Sequence, residues 1–219
     1  MIRLVVFDLD GTLVDSSHDL AEATNALLAE LGGAPLALDV VVSMVGEGAA
    51  VLVKRALERS GLDPEMPGAL ARFLGLYDER LLNATRPYPG MIEALTKLGA
   101  KFRLAVLTNT PERPTLEILK GLEMRTFFGD VTGGDSAHGR KPNPAGLLDL
   151  AARAGVKASE TLLVGDSRVD LETSRRAGTS VCLTRYGFGY RFSGTEFRGD
   201  EIFVDAASEL PGAIESISA

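Results

Sequence analysis

Apolar and polar positions along this chain fall into two alternating patterns. Short runs rich in apolar and β-branched residues recur at Leu4–Phe7, Arg103–Leu107, Thr161–Val164 and Ser180–Leu183, with a weaker one at Ile202–Val204. Runs of that kind predict strands. Helical spacing of apolar positions appears at Met91–Leu98, Glu112–Lys120, Ala145–Ala154 and Val169–Ala177. Strands alternating with helices predict an α/β fold with a parallel sheet covered by helices. Ligands of such sheets bind beyond the carboxyl ends of the strands.

Residues 17–85 break the alternation. Asp19–Leu31 is amphipathic, with Leu20, Ala23, Leu27, Leu28 and Leu31 near helical spacing, and Val51–Leu57 and Leu70–Leu82 read the same way. Val40-Val41-Val42 is the one β-branched run, and Gly32-Gly33, Gly46-Glu47-Gly48 and Gly61-Leu62-Asp63-Pro64 punctuate the helices. A strand–helix–strand crossover does not need so long an excursion. It reads either as a long helical elaboration of the core or as a small all-helical cap over the strand ends. The cap is preferred, because the excursion leaves directly from the Asp8 loop, where a lid excludes water. The expected division is a core of 1–15 and 86–219 and a cap of 16–85, with hinges near Val14–Ser17 and Asn83–Pro89.

The candidate chemistry gathers at strand ends. After Leu4–Phe7 come Asp8-Leu9-Asp10-Gly11-Thr12. Side chains two apart on an extended segment point the same way, so Asp8 and Asp10 can aim at one point. Two carboxylates that close repel unless a cation or proton lies between them. Read as a calcium loop, the motif puts Val6 and Ser17 where an acid and a bidentate glutamate belong, which argues against that reading. Thr108-Asn109-Thr110-Pro111 ends a second strand with groups that donate to anion oxygens, although the same residues also suit a helix start. Lys141 stands in Arg140-Lys141-Pro142-Asn143-Pro144, where the prolines stiffen its backbone. Gly165-Asp166-Ser167-Arg168-Val169-Asp170 ends a third strand with an acid, and a second acid follows one helical turn on. Asp166 serves equally well as a helix cap or as an oxygen ligand for a hard cation.

Taken in order, these four segments resemble the four motifs of the haloacid dehalogenase superfamily across nearly the whole chain. The resemblance implies a Rossmann-like core, Mg²⁺ as cofactor, and Asp8 as a nucleophile that forms an aspartyl-phosphate. It implies Asp10 as acid and base, with Thr108, Asn109 and Lys141 on the phosphoryl oxygens. It implies Asp8, Asp166 and the Asp10 carbonyl on the metal, with Asp170 supporting the metal or orienting Lys141. An acid at position 10 speaks for phosphoryl transfer, since dehalogenases of this fold need neither that acid nor Mg²⁺. Asp15-Ser16, Asp19-Leu20-Ala21, Asn25, Val45-Gly46-Glu47-Gly48, Arg55-Ala56-Leu57 and Gly133-Gly134-Asp135-Ser136 are similar to bacterial phosphoglycolate phosphatases. That subfamily likeness implies a cap loop at Gly46, Glu47 and Gly48 that helps select the substrate, plausibly 2-phosphoglycolate; Arg55 could reach a substrate carboxylate, though an exposed helix position is as good a reading. A phosphatase for another metabolite or for pyrophosphate, a phosphomutase and a non-catalytic binding module are the alternatives.

Composition narrows the rest. The chain has 219 residues, 45% of them hydrophobic, and a net charge of −7 with a pI near 5.0. That balance argues against nucleic-acid or anionic-membrane partners and leaves a small phosphorylated metabolite. Cys182 is the sole cysteine, so no intramolecular disulfide forms. No apolar stretch approaches a membrane span and no signal peptide opens the chain, so a cytoplasmic monomer or homodimer is expected. His18 and His138 have no metal-ligand partner at useful spacing and read as solvated or locally hydrogen-bonded.

Overall fold

The computed structural model describes residues 1–218. The strands are β1 (Leu4–Phe7), β2 (Val14–Asp15), β3 (Arg86–Pro87), β4 (Arg103–Leu107), β5 (Asp130–Thr132), β6 (Thr161–Gly165), β7 (Ser180–Thr184) and β8 (Ile202–Val204). The helices are α1 (Ser17–Glu30), α2 (Leu38–Val42), α3 (Ala49–Arg59), α4 (Ala69–Asp78), α5 (Met91–Gly99), α6 (Glu112–Gly121), α7 (Ala145–Arg153), α8 (Arg168–Ala177) and α9 (Leu210–Ser216). Six strands form one sheet in the order β5-β4-β1-β6-β7-β8, parallel throughout. The order reverses beside β1, so the carboxyl ends of β1 and β6 flank the crevice where such sheets bind ligands.

Alternation along β1 assigns the two faces. Val5 and Phe7 join an apolar cluster with Met91, Leu95 and Leu98 of α5 and Ile118 of α6. Leu4 and Val6 face the other way, onto Leu147 and Leu150 of α7. Successive side chains of a strand point to opposite faces, and here both faces are covered, hence the uninterrupted apolar run. Phe7 is fully buried; truncating such a ring to alanine costs about 3–5 kcal/mol. The start of α8 is set by a capping box in which Ser167 and Asp170 bond each other's backbone, and Gly178 closes the helix in the left-handed region (φ 70°).

The 17–85 segment is helical, as its pattern predicts. α1 packs on α2, α3 and α4. Val40-Val41-Val42 lies in the short helix α2, with Val41 and Val42 buried, so packing overrides β-propensity there. The two junctions with the core form a ribbon: β2 pairs antiparallel with β3. Asp19, at the start of α1, accepts hydrogen bonds from the Ala84 and Thr85 amides and the Thr85 hydroxyl, at 2.6–3.1 Å. The entry and exit of the excursion are thus bolted together by one buried carboxylate. No described helix is long and apolar enough to cross a membrane.

Candidate active site

Asp8 directly follows β1 and Asp166 directly follows β6, the two strands that meet at the reversal. Asp170 stands one turn into α8. One oxygen from each of the three carboxylates lies within 4.8 Å of the others. Lys141, reaching in from the loop before α7, joins two of them: its Nζ is 2.8 Å from Asp8 Oδ1 and 2.6 Å from Asp170 Oδ1. All four side chains are buried.

The bonds define which oxygens remain available. Asp8 Oδ1 also accepts the Leu9 amide at 2.7 Å, while Asp8 Oδ2 has no hydrogen bond among the described residues. Asp170 Oδ2 takes the Ser167 hydroxyl at 2.6 Å, so both Asp170 oxygens are engaged. Asp166 Oδ2 takes the Gly189 amide at 2.7 Å, and its Oδ1 is unengaged among the described residues. Glycines crowd Asp166. A Cβ on Gly11 (φ +81°) would lie 2.0 Å from its Oδ2, and one on Gly187 would lie 2.3 Å from its Cβ. Side chains at either position would displace the carboxylate.

Three carboxylates facing one ammonium leave negative charge uncompensated. Burial pushes the Asp8 carboxyl up to about 7, against the pull of Lys141, with Asp170 adding to the push. Burial also raises Asp166 well above the ordinary range, with Asp170 and Asp8 reinforcing it. Burial draws the Lys141 ammonium down, but Asp170 and Asp8 outweigh it and hold the lysine charged. The donor set is all oxygen and anionic, with free oxygens on Asp8 and Asp166. That suits a hard divalent cation.

Asp10 points elsewhere. Its carboxylate accepts the Ser16 hydroxyl at 2.5 Å and the Thr110 hydroxyl at 2.6 Å, so its side chain stands outside the three-carboxylate cluster. It nonetheless lines the same cavity as Asp8 and Asp166. Thr108 lines it too. Its hydroxyl accepts the Thr110 amide at 3.1 Å, which leaves its own proton free among the described residues. The Asn109 side chain is not free. Its Nδ2 donates to the Gly46 carbonyl (2.9 Å) and the Lys141 carbonyl (3.0 Å), and its Oδ1 accepts the Lys141 amide (2.8 Å). In this structure the amide ties the Gly46 loop to the Lys141 loop. The Asn109 backbone N–H, unpartnered among the described residues, faces no such competition.

A family model described as haloacid dehalogenase-like hydrolase matches residues 5–184. The chain belongs to that family. It is 43% identical over 196 residues to a protein named phosphoglycolate phosphatase from Rhodospirillum rubrum, covering 86% of this chain and 81% of that one. It is 38% identical to a protein of the same name from Pseudomonas savastanoi pv. phaseolicola, covering 97% and 80%. Among solved structures, one described as a predicted phosphoglycolate phosphatase from Haemophilus somnus 129PT superposes with a TM-score of 0.89 at 31% identity, covering 100% of this chain and 98% of that one.

Within this hydrolase the helical excursion contributes residues to the cavity. Gly46 and Gly48 line it, as do Leu52, Phe73 and Tyr77. Glu47 and Arg55 do not. They pair with each other at 2.5 Å on the exposed surface, and Arg55 lines a separate surface hollow with Ser43 and Glu58. Arg55 thus spends its charge on Glu47 in this structure and does not line the cavity. His138 pairs with Asp149 at 3.3 Å, away from the cavity, and Cys182 is packed inside β7.

Sequence reading missed four contributors. Ser16 and Thr110 were visible only as parts of motifs, and their hydrogen bonds to Asp10 depend on the folded hinge. Gly189 follows β7 in Tyr186-Gly187-Phe188-Gly189, and a Gly-x-Gly beyond a strand end was a usable signal for close backbone approach. Tyr77 read as one more apolar position of an amphipathic helix.

Proposed function

We propose that this hydrolase is a divalent-metal-dependent phosphatase that cleaves a small phosphate monoester, with 2-phosphoglycolate the leading candidate. The observation that carries the reading is an unengaged Asp8 oxygen beside Asp166 and Lys141, in a cavity that Asp10 and Thr108 also line. The names of relatives 37–43% identical over most of the chain support the substrate.

Asp8 Oδ2 attacks phosphorus. A bond forms from that oxygen to phosphorus as the bond from phosphorus to the leaving oxygen breaks, giving an aspartyl-phosphate. Asp10, entering the step as the carboxylic acid, gives its proton to the departing alkoxide. It then takes a proton from the water that attacks phosphorus and frees Asp8. Lys141 spends two N–H groups on Asp8 and Asp170, and the third serves a phosphoryl oxygen. The Thr108 hydroxyl and the Asn109 N–H serve the others. Asp170 holds Lys141 in position. Mg²⁺ would be held by Asp8, Asp166 and the Asp10 carbonyl, and when bound it offsets the charge on both the nucleophile and the phosphoryl group.

Residues 1–15 and 86–219 form the core domain in this reading, and 16–85 form a cap that keeps water from the intermediate. The test is phosphate release across a panel of phosphate monoesters, with Mg²⁺ and with EDTA. Release from 2-phosphoglycolate that EDTA abolishes is the expected result. Undiminished release in EDTA removes the metal from the reading, and no release from any ester removes the phosphatase.

A further inference from the structure

Tyr77 carries a hydroxyl that the fold does not use. The residue is 3% exposed, and its phenolic oxygen is buried with no hydrogen-bond partner among the described residues. Its ring stacks on Phe73, with centroids 6.0 Å apart and planes 11° from parallel. A phenylalanine would stack as well without burying an unmatched polar group, which costs stability and returns none. The hydroxyl is therefore explained by something outside the folded chain.

Its surroundings indicate what. Tyr77 lines the cavity together with Asp8 and Asp10. Burial, with the nearby Asp10 and Asp19 carboxylates, keeps its phenol protonated and hence a donor. Ser16 is a close neighbour, but no hydrogen bond of sound geometry joins them, and the Ser16 proton goes to Asp10. Of the other hydroxyls lining the cavity, Thr110 is committed to Asp10 and Ser167 to Asp170, while Thr108, whose proton is free, follows β4 on the core wall. The rest of the cap-side wall is apolar, from Leu20, Val45, Leu52, Phe73 and Leu74, and Arg55 is turned out to Glu47. Among the cap-side residues that line the cavity, Tyr77 alone carries a side-chain hydrogen-bond donor.

We propose that the Tyr77 hydroxyl donates a hydrogen bond to an oxygen carried by the substrate's leaving group, and so selects short oxygen-bearing esters over alkyl ones. The inference rests on the phosphatase reading. It assigns the discrimination to a neutral donor of the cap wall and not to a cation such as Arg55.

Tyr77→Phe removes the oxygen and nothing else. The comparison uses 2-phosphoglycolate and ethyl phosphate, which differ by a carboxylate in place of a methyl group. The expected loss in kcat/KM is roughly tenfold to a hundredfold on 2-phosphoglycolate and within about twofold on ethyl phosphate. The thermal midpoint without substrate stays level or rises, and the pH profile of kcat/KM keeps its shape. Equal losses on the two esters, no loss on either, a lowered midpoint or a displaced pH profile overturns the assignment, since each gives the hydroxyl a structural role or one through Asp10. Wild-type protein that hydrolyses neither ester overturns 2-phosphoglycolate as the substrate and the Tyr77 assignment with it, while the phosphatase reading falls only if no ester of the wider panel releases phosphate.

Discussion

The two walls of the cavity are built on opposite principles. The core wall is charged and tightly bonded: Asp8, Asp170 and Lys141 fix one another at 2.6–2.8 Å, and Asp166 is clasped by a glycine-lined backbone. The cap wall is apolar, with one unpartnered hydroxyl at Tyr77, and Arg55 is turned outward to Glu47. The difference separates two tasks. A transferring phosphoryl group has the same charge and shape in every ester, so preorganised charges can be built for it once. Leaving groups vary, and an apolar wall with few polar contacts discriminates by shape and by hydrogen bonds left unmet.

Removing the nucleophile tests the core wall hardest. Asp8→Asn should lower kcat by at least about 10³-fold while circular dichroism stays native; near-normal turnover would give the attack to another residue. The clasp around Asp166 comes next. Gly11→Ala forces a Cβ into the carboxylate at a positive φ, so it should cost about 1–3 kcal/mol in urea unfolding and roughly tenfold or more in Mg²⁺-dependent activity. An unaffected variant would mean that Asp166 need not stay where the glycines hold it.

The charge deficit of the core wall has a pH signature. Asp8 titrates near 7 in the folded chain, against an ordinary value of 3.8. For an acid with a raised pKa, the contribution to stability is complete below about pH 4 and is lost as pH rises through about 7. The metal-free protein should therefore lose thermal stability between pH 5 and pH 8. Mg²⁺ should restore more at pH 8 than at pH 5, by about 2–4 °C for each kcal/mol of linkage. An equal Mg²⁺ effect at both values would separate the metal from this carboxylate.

The link between the walls is the Asn109 amide. Asn109→Ala cuts its bonds to Gly46 and Lys141 and should lower kcat/KM by roughly tenfold on every ester alike, at about 0.5–1.5 kcal/mol per bond. A loss confined to one ester would move Asn109 to the selective wall. The smallest effect belongs to Arg55→Ala. An exposed ion pair contributes little, so kcat/KM for 2-phosphoglycolate should change by no more than about twofold. A tenfold fall would overturn the contrast, because a cation would then read the leaving group.

Regular elements were legible wherever burial imposed a period. The runs at Leu4–Phe7 and Thr161–Val164 became adjacent central strands covered on both faces. β5 escaped notice because Asp130–Thr132 is a three-residue edge strand with one buried position. β2 and β3 escaped because two residues carry no period, and their pairing joins chain segments far apart. Asp19 looked like an ordinary first-turn acid of a helix. Its task of holding Ala84 and Thr85 exists only once the excursion returns.

The sequence by itself determined which chemical groups arrive at the strand ends and in what order, because a buried strand and the turn after it are local facts of composition. Tertiary structure decided which atoms of those groups are spoken for. Asp10 meets Thr110 across a hundred positions of chain, Asn109 is taken up by Gly46 and Lys141, and Tyr77 is left with a proton to give. A hydrogen-bond donor or acceptor is free or engaged according to what packs beside it, and no local pattern records that neighbour.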